Sequence, residues 1–251
     1  AVVCLLIAPA NLSTALLIGA TCMMLMFIGR VSGKHLLLTL GVAMIPVVIL
    51  VLAAMVRHKS EEPVAVKSKP ESHSHLFVRV DTWINRVEHF IYGSQASKEE
   101  DNYQVNQAKI AVANGGWIGL GPGNSRQRNF LPHPYSDFIY AIIIEEYGMI
   151  GGAIIMFIYL VFLFRSIRIF RKCPFAFGAF LALGLSFTLM IQAIANMAVN
   201  VNLFPVTGVT LPLISMGGSS FLFTCLAIGI ILSVARNAEQ IEGEAAAEAA
   251  D

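Results

Sequence analysis

Acidic side chains are unevenly spread along this chain. Outside one long polar stretch, 57–136, and the C-terminal tail, only Asp137, Glu145 and Glu146 carry a carboxylate. All three sit at or near the start of an apolar run, 138–164. Ionisable groups in a membrane span are costly and are functional candidates by default. A carboxylate at that position can act as a general base. It can also cap a helix, because Ser136-Asp137 opens the run and Asp is a favoured N-cap. The eight-residue step from Asp137 to Glu145 is a little over two turns and sets both on nearly one side, about 12 Å apart along the axis. Glu145 and Glu146 then either pair with an arginine of another helix or face a wet cavity.

Cations come next. Arg126 and Arg128 flank Gln127 in a glycine-rich stretch just before Asp137. Planar guanidinium groups grip phosphate oxygens in pairs, so this cluster suits a pyrophosphate. The plainer alternatives are a solvated loop or contact with anionic lipid headgroups. Lys109 carries the same ambiguity. His133 can serve as a base or stand as a solvated loop histidine. Cys4, Cys22, Cys173 and Cys225 are scattered without a CxxC spacing; they suggest neither a zinc site nor a disulfide framework.

These groups need a scaffold, and the composition names its kind. Of 251 residues, 56% are hydrophobic and 13% charged, against roughly 25% charged in a soluble domain. The mean hydropathy is +0.70. A helix needs roughly 20 apolar residues to cross the hydrocarbon core. Stretches of about this length occur at 12–29, 36–56, 138–164, 176–196 and 211–235. Residues 1–8 read as the tail of a further helix. The expected fold is all-α, a polytopic transmembrane helix bundle of about five full spans plus the end of another, with a large extracytoplasmic loop. The net charge of +1 gives no reason to expect nucleic acid.

Charge placement orients the spans. Arg30 and Lys34 lie in one short loop, Arg165, Arg168, Arg171 and Lys172 in another, and Arg236 follows the last span. The positive-inside rule makes all three places cytoplasmic. The chain then divides into 1–56, the end of one span and two full ones; 57–136, the extracytoplasmic loop; 137–236, three spans; and 237–251, a cytoplasmic tail. Within the loop, 57–75 reads as a flexible segment. The stretch 76–92 has the apolar spacing of an amphipathic helix, and 102–113 reads as a second helix ending at Asn114-Gly115-Gly116. Gly119, Gly121, Pro122 and Gly123 force an irregular path. Two prolines and three glycines within 204–220 predict a broken or re-entrant start to the last span, which protein or water must surround. Pro46 predicts a kink, and the tail reads as a helical extension or a frayed end. Large loops on rigid scaffolds often carry the chemistry. From the residues alone two functions stand: an enzyme acting at the outer face on a lipid-linked substrate, or a transporter with acids on its pathway.

Three stretches carry a resemblance. Tyr103-Gln104, then 108–123 and Asn124-Ser125, is similar to the Tyr-Gln, Gly-Gly and Gly-x-Gly segment of the SEDS family (FtsW, RodA, SpoVE). Leu131-Pro132, Asp137-Phe138-Ile139-Tyr140-Ala141 and Glu145-Glu146-Tyr147-Gly148 resemble its hallmark strip. Residues 203–220 resemble its Leu-Pro-x-Thr-Gly-x-x-Leu-Pro-x-x-Ser-x-Gly-Gly-Ser-Ser segment. All three agree in order and spacing; the weakest match is 57–100. Departures are His133-Pro134-Tyr135-Ser136, where the family often has Glu-x-His-Thr, and Met216, where Tyr is common.

The resemblance implies a family of ten-helix proteins, with this chain spanning the end of the fifth helix and the sixth to tenth. The loop Gly123-Asn124-Ser125-Arg126-Gln127-Arg128 looks more like the FtsW branch than RodA. The implied activity is that of an inverting peptidoglycan glycosyltransferase that polymerises lipid II into β-1,4 glycan strands during cell division. The alternatives are a lipid II flippase or transporter, and a RodA-like elongation polymerase. Asp137 matches the family's loop aspartate and is implied as the base. Arg126, Arg128, Lys109, Gln107, Glu145 and Ser219 are the candidates for substrate contact. No organic cofactor is implied; a divalent cation, Mg2+ or Mn2+, is an option. The implied partners are lipid II with its undecaprenyl pyrophosphate, a class B penicillin-binding transpeptidase, other division proteins and membrane lipids. The implied location is the bacterial inner (cytoplasmic) membrane at the septum, with the active site on the extracytoplasmic face.

Overall fold

In a computed structural model, residues 2–7, 11–60, 99–131 and 134–248 are described. They contain seven α-helices and no strand: α1 (Val2–Ile7), α2 (Leu12–Ile28), α3 (Gly33–Ser60), α4 (Glu99–Gly115), α5 (Ile139–Lys172), α6 (Ala176–Asn200) and α7 (Gly218–Glu248). A single 3-10 turn, Gln127–Asn129, interrupts the loop before α5. The expected amphipathic stretch 76–92 and His133 lie outside the described residues.

The chain divides into two compact units. The first is 1–107 with 202–207. There Asn11 caps α2 by accepting from Thr14 N at 3.2 Å, as short polar side chains do at a helix start. Ser13 Oγ donates to the Thr207 carbonyl at 3.1 Å, and Thr39 Oγ1 contacts Met23 Sδ at 3.3 Å, linking α3 to α2. The helix α3 runs through Pro46 and continues past the apolar stretch to Ser60.

The second unit is 108–201 with 208–251. Here α5 packs on α6, α6 on α7, and α5 on α7. Tyr140, Ile144 and Tyr159 of α5 meet Met190, Ala193 and Met197 of α6 in its core, together with Leu211. Three helices are long and apolar enough to cross a membrane among the described residues: Ile139–Lys172, Ala176–Asn200 and Gly218–Ile241. Their exteriors are apolar as well. Phe157 and Phe164 on α5, and Leu222 and Phe223 on α7, are exposed. Lone exposed hydrophobics are ordinary, but apolar outer faces of this extent on α5 and α7 mark contact with lipid or with further protein. The tail expected beyond Arg236 as a helical extension or a frayed end is helical, since α7 runs on to Glu248.

Two irregular stretches interrupt this regular bundle, and both serve the site. One is 116–131 with 134–138, between α4 and α5. The other is 201–217, the expected broken approach to the last span, where α7 starts only at Gly218. In the latter Leu213 has φ +65, a sparsely populated conformation for a bulky residue.

Candidate active site

The second unit holds two carboxylate environments, and they differ in construction. The first is centred on Glu145. Its side chain is fully buried, at 0% exposure. Oε1 accepts from Asn114 Nδ2 at 3.5 Å and from Arg126 N at 3.3 Å. Oε2 accepts from Ser125 Oγ and from Gln127 N at 3.3 Å. Ser125 Oγ in turn accepts from Arg128 N at 3.2 Å. Four donors converge on the two oxygens of one carboxyl group, which together have acceptor capacity for all of them. No arginine pairs with it among the described residues. The candidate ion pair with another helix is thus replaced by a hydroxyl and backbone amides of the glycine-rich loop.

That loop lies directly against α5, backbone to backbone. Leu120 N donates to Glu145 O and Gly121 N to Glu146 O, both at 2.9 Å, and Met149 N donates to Gly116 O at 2.9 Å. Gly148 breaks the helix with φ +71. A methyl on Gly148 would stand 2.2 Å from the Trp117 carbonyl oxygen, and one on Gly115 would stand 2.0 Å from that of Ile144. The glycines are therefore required by close approach, and the approach orders a loop that would otherwise be free.

The second environment is centred on Asp137. It lies two residues before α5, whose first helical residue is Ile139. This corrects the expectation that Asp137 and Glu145 share one helical face: the 3.6-residue period does not reach back to 137, and the two groups have different partners. Asp137 is not the N-cap either. Phe138 occupies that position without a side-chain cap, and Ala141 N is satisfied from another helix by Asn200 Oδ1 at 3.0 Å.

What fixes Asp137 is its backbone. The Asp137 carbonyl accepts from Asn196 Nδ2 and Asn200 Nδ2, each at 2.9 Å. Both asparagines are buried on α6, four residues apart. Asn196 Nδ2 also donates to Val209 O at 2.7 Å. Ser215 Oγ donates to Ser136 O at 2.6 Å and accepts from Leu211 N at 2.7 Å, and Met216 N donates to Tyr135 O at 2.8 Å. The loop 135–138, the helix α6 and the segment 208–216 are thus pinned together. Phe138, 3% exposed, anchors the turn from below.

The carboxylate itself stays accessible. Asp137 is only partly buried, and Ser136 Oγ donates to Oδ1 at 2.9 Å. Among the described residues no other side chain donates to it. Gly208 lies beside the carboxylate, where a methyl would stand 3.9 Å from Oδ2 in ordinary contact; its φ of +66 is what favours glycine there. One carboxylate held firmly by its backbone, with an oxygen left open, is an arrangement that can accept a proton.

The remaining candidates fall as follows. Arg126 is exposed and Arg128 half-buried on the Glu145-bound loop, and neither forms an ion pair with Asp137. Lys109 is exposed on α4. Gln107 belongs to the first unit, where it is half-buried. Ser219 is exposed in the first turn of α7; the hydroxyl joined to the 208–216 segment is that of Ser220, 3.1 Å from Thr210 Oγ1. Among the described residues no three His, Cys, Asp or Glu side chains converge as a metal site would need. The four cysteines are free. Sequence reasoning missed Asn196, Asn200, Ser215 and Ser125. Two asparagines one turn apart inside an apolar run were the available signal for the first pair.

Comparison with known proteins adds the family. The family model of FtsW, RodA and SpoVE, described as cell cycle protein, matches residues 1–240. The chain is 45% identical over 135 residues to stage V sporulation protein E of Bacillus subtilis, covering 53% of this chain and 37% of that one. It is 44% identical over 138 residues to a probable peptidoglycan glycosyltransferase FtsW of Thioalkalivibrio sulfidiphilus, covering 53% and 34%. A similar protein of Nitrosococcus halophilus is 44% identical over 136 residues, covering 53% and 35%. The matched part is thus about a third of each relative's length. A solved peptidoglycan synthase complex, described as coordinating polymerization and crosslinking, superposes with a TM-score of 0.64 at 22% identity, over 94% of this chain and 59% of that one. That likeness shows the same helical architecture, and the match across residues 1–240 means that this chain belongs to the FtsW/RodA/SpoVE family of cell cycle proteins.

Proposed function

We propose that this chain is the catalytic half of a peptidoglycan glycosyltransferase that polymerises lipid II. The observation that carries the reading is Asp137, pinned through its carbonyl by Asn196 and Asn200 while its carboxylate stays open. Relatives at 44% identity bear the name probable peptidoglycan glycosyltransferase, which supports the same class.

In this reading, Asp137 accepts the proton of the 4-hydroxyl of the acceptor sugar as that oxygen attacks the anomeric carbon of the donor. The new C–O bond forms as the bond to undecaprenyl pyrophosphate breaks, with inversion at that carbon. A single base suffices for such a displacement; no second carboxylate is needed as a nucleophile. The leaving pyrophosphate needs positive charge nearby. Arg126 and Arg128, on the loop ordered by Glu145, and Lys109 are the side chains proposed to supply it. A divalent cation remains compatible, because Mg2+ is commonly held by one or two carboxylates together with substrate phosphates; no step here depends on it.

The proposed setting is the bacterial inner membrane at the division septum, with Asp137 on the extracytoplasmic side. The supporting pattern is the basic Arg165–Lys172 end of α5, assigned to the cytoplasm by the positive-inside rule. A class B penicillin-binding transpeptidase is the proposed partner, in keeping with the polymerizing and crosslinking complex that shares the fold.

The test is reconstitution of the full-length protein with its transpeptidase in liposomes and addition of labelled lipid II. Glycan polymer is the expected product. Label that changes leaflet without being polymerised would favour the transporter instead.

A further inference from the structure

The far end of the second unit carries a site that the glycosyltransferase reading leaves unused. A cavity of about 670 Å³ lies between the C-terminal turns of α5 and the middle of α7. Arg165, Arg168, Lys172 and Arg236 line it, with Glu239 as the one acidic residue. The rest of its wall is aliphatic or aromatic apart from Ser166, whose hydroxyl is spent on the Phe162 carbonyl at 3.0 Å. The volume is in the range of small-molecule and cofactor sites, roughly 300–1,000 Å³.

The placement of the cations is selective. Arg165, Arg168 and Lys172 follow a three- and four-residue step, which puts them on one stripe of the helix. All of these side chains are exposed, and Arg171, which lies off that stripe, does not line the cavity. All four basic residues of α5 would contribute alike to membrane orientation, so orientation alone does not account for three of them converging on a hollow. Among the described residues no ion pair ties Arg165, Arg168 or Arg236 to a carboxylate. Converging like charges repel, and a bound anion relieves that repulsion.

We propose that this cavity binds an anionic phospholipid, its phosphate on the arginines and an acyl chain along the apolar wall. Guanidinium groups suit phosphate oxygens through paired hydrogen bonds. Basic pockets between transmembrane helices are a recurrent form of headgroup site. A soluble phosphate would use the cations and leave the apolar wall uncovered. A zwitterionic lipid would bring a second cation among the arginines. The site lies at the opposite end of α5 from Asp137, and it does not depend on the catalytic assignment.

The test uses the full-length protein in detergent, offered phosphatidylglycerol and phosphatidylcholine of identical acyl chains in equal amounts, with retained lipid read by native mass spectrometry. Phosphatidylglycerol is retained in excess. Arg165→Gln and Arg168→Gln each lower that excess about fivefold, as expected for one basic residue at a membrane surface, and Arg171→Gln leaves it unchanged. Millimolar inorganic phosphate does not release the lipid. Equal retention of the two lipids by the unmodified protein overturns the proposal, whatever the variants do. So does an equal loss with Arg171→Gln, or displacement by inorganic phosphate, which would make the ligand a soluble anion.

Discussion

Glu145 and Asp137 lie eight residues apart and are treated in opposite ways by the same fold. Glu145 is sealed, with a hydroxyl, an amide side chain and two backbone N–H groups directed at its oxygens. Asp137 has its main chain immobilised by two asparagines and its carboxylate left nearly unclaimed. The difference teaches how to separate two roles that look alike in a sequence. A carboxylate whose lone pairs are all engaged organises structure. One that is held from behind, with an oxygen free, can move a proton.

Four substitutions test this contrast, in descending order of effect. Asp137→Asn removes the proposed base and is expected to slow polymerisation by about 10²- to 10⁴-fold, with the thermal unfolding midpoint unchanged. Gly148→Ala forces a methyl against the Trp117 carbonyl in a left-handed backbone conformation. It destabilises by ~3 kcal/mol, read as a lowered midpoint and a smaller folded yield. Glu145→Gln turns an acceptor-only group into one that offers donors to Ser125 and the loop amides, and costs about 2 kcal/mol. Its signature is lost stability together with near-normal polymerisation per folded molecule; a variant that folds normally but is inactive would erase the distinction between the two acids. Asn200→Ala takes one of two donors from the Asp137 carbonyl and the acceptor from Ala141 N. It costs about 1–2 kcal/mol, and kcat falls more than KM rises because the base is displaced rather than the substrate released.

Much of this architecture is legible in the sequence, and the reasons are local. Apolar length gives the spans, and the Pro- and Gly-rich stretch 204–220 gives the broken entry to α7. Asp137 stands out because an acid at the head of an apolar run is rare. The missing parts are contacts across sequence. The asparagines that hold Asp137 lie 59 and 63 residues away, and nothing in their own neighbourhood names their target. The role of Glu145 was obscured for a different reason. The apolar run that follows Asp137 suggests a helix reaching back to it, whereas α5 begins at Ile139, so the helical period does not relate the two acids. The left-handed break at Gly148 is likewise visible only once the loop 116–121 is seen lying on α5.

The contrast is tested most directly by assaying Asp137→Asn and Glu145→Gln side by side. Both are made in the full-length protein with its transpeptidase, and glycan polymer from lipid II is measured per folded molecule. The expected result is that Asp137→Asn makes almost no polymer while Glu145→Gln, although less stable, polymerises near the normal rate. Polymer from Asp137→Asn at the unmodified rate would contradict the assignment of this carboxylate as the base.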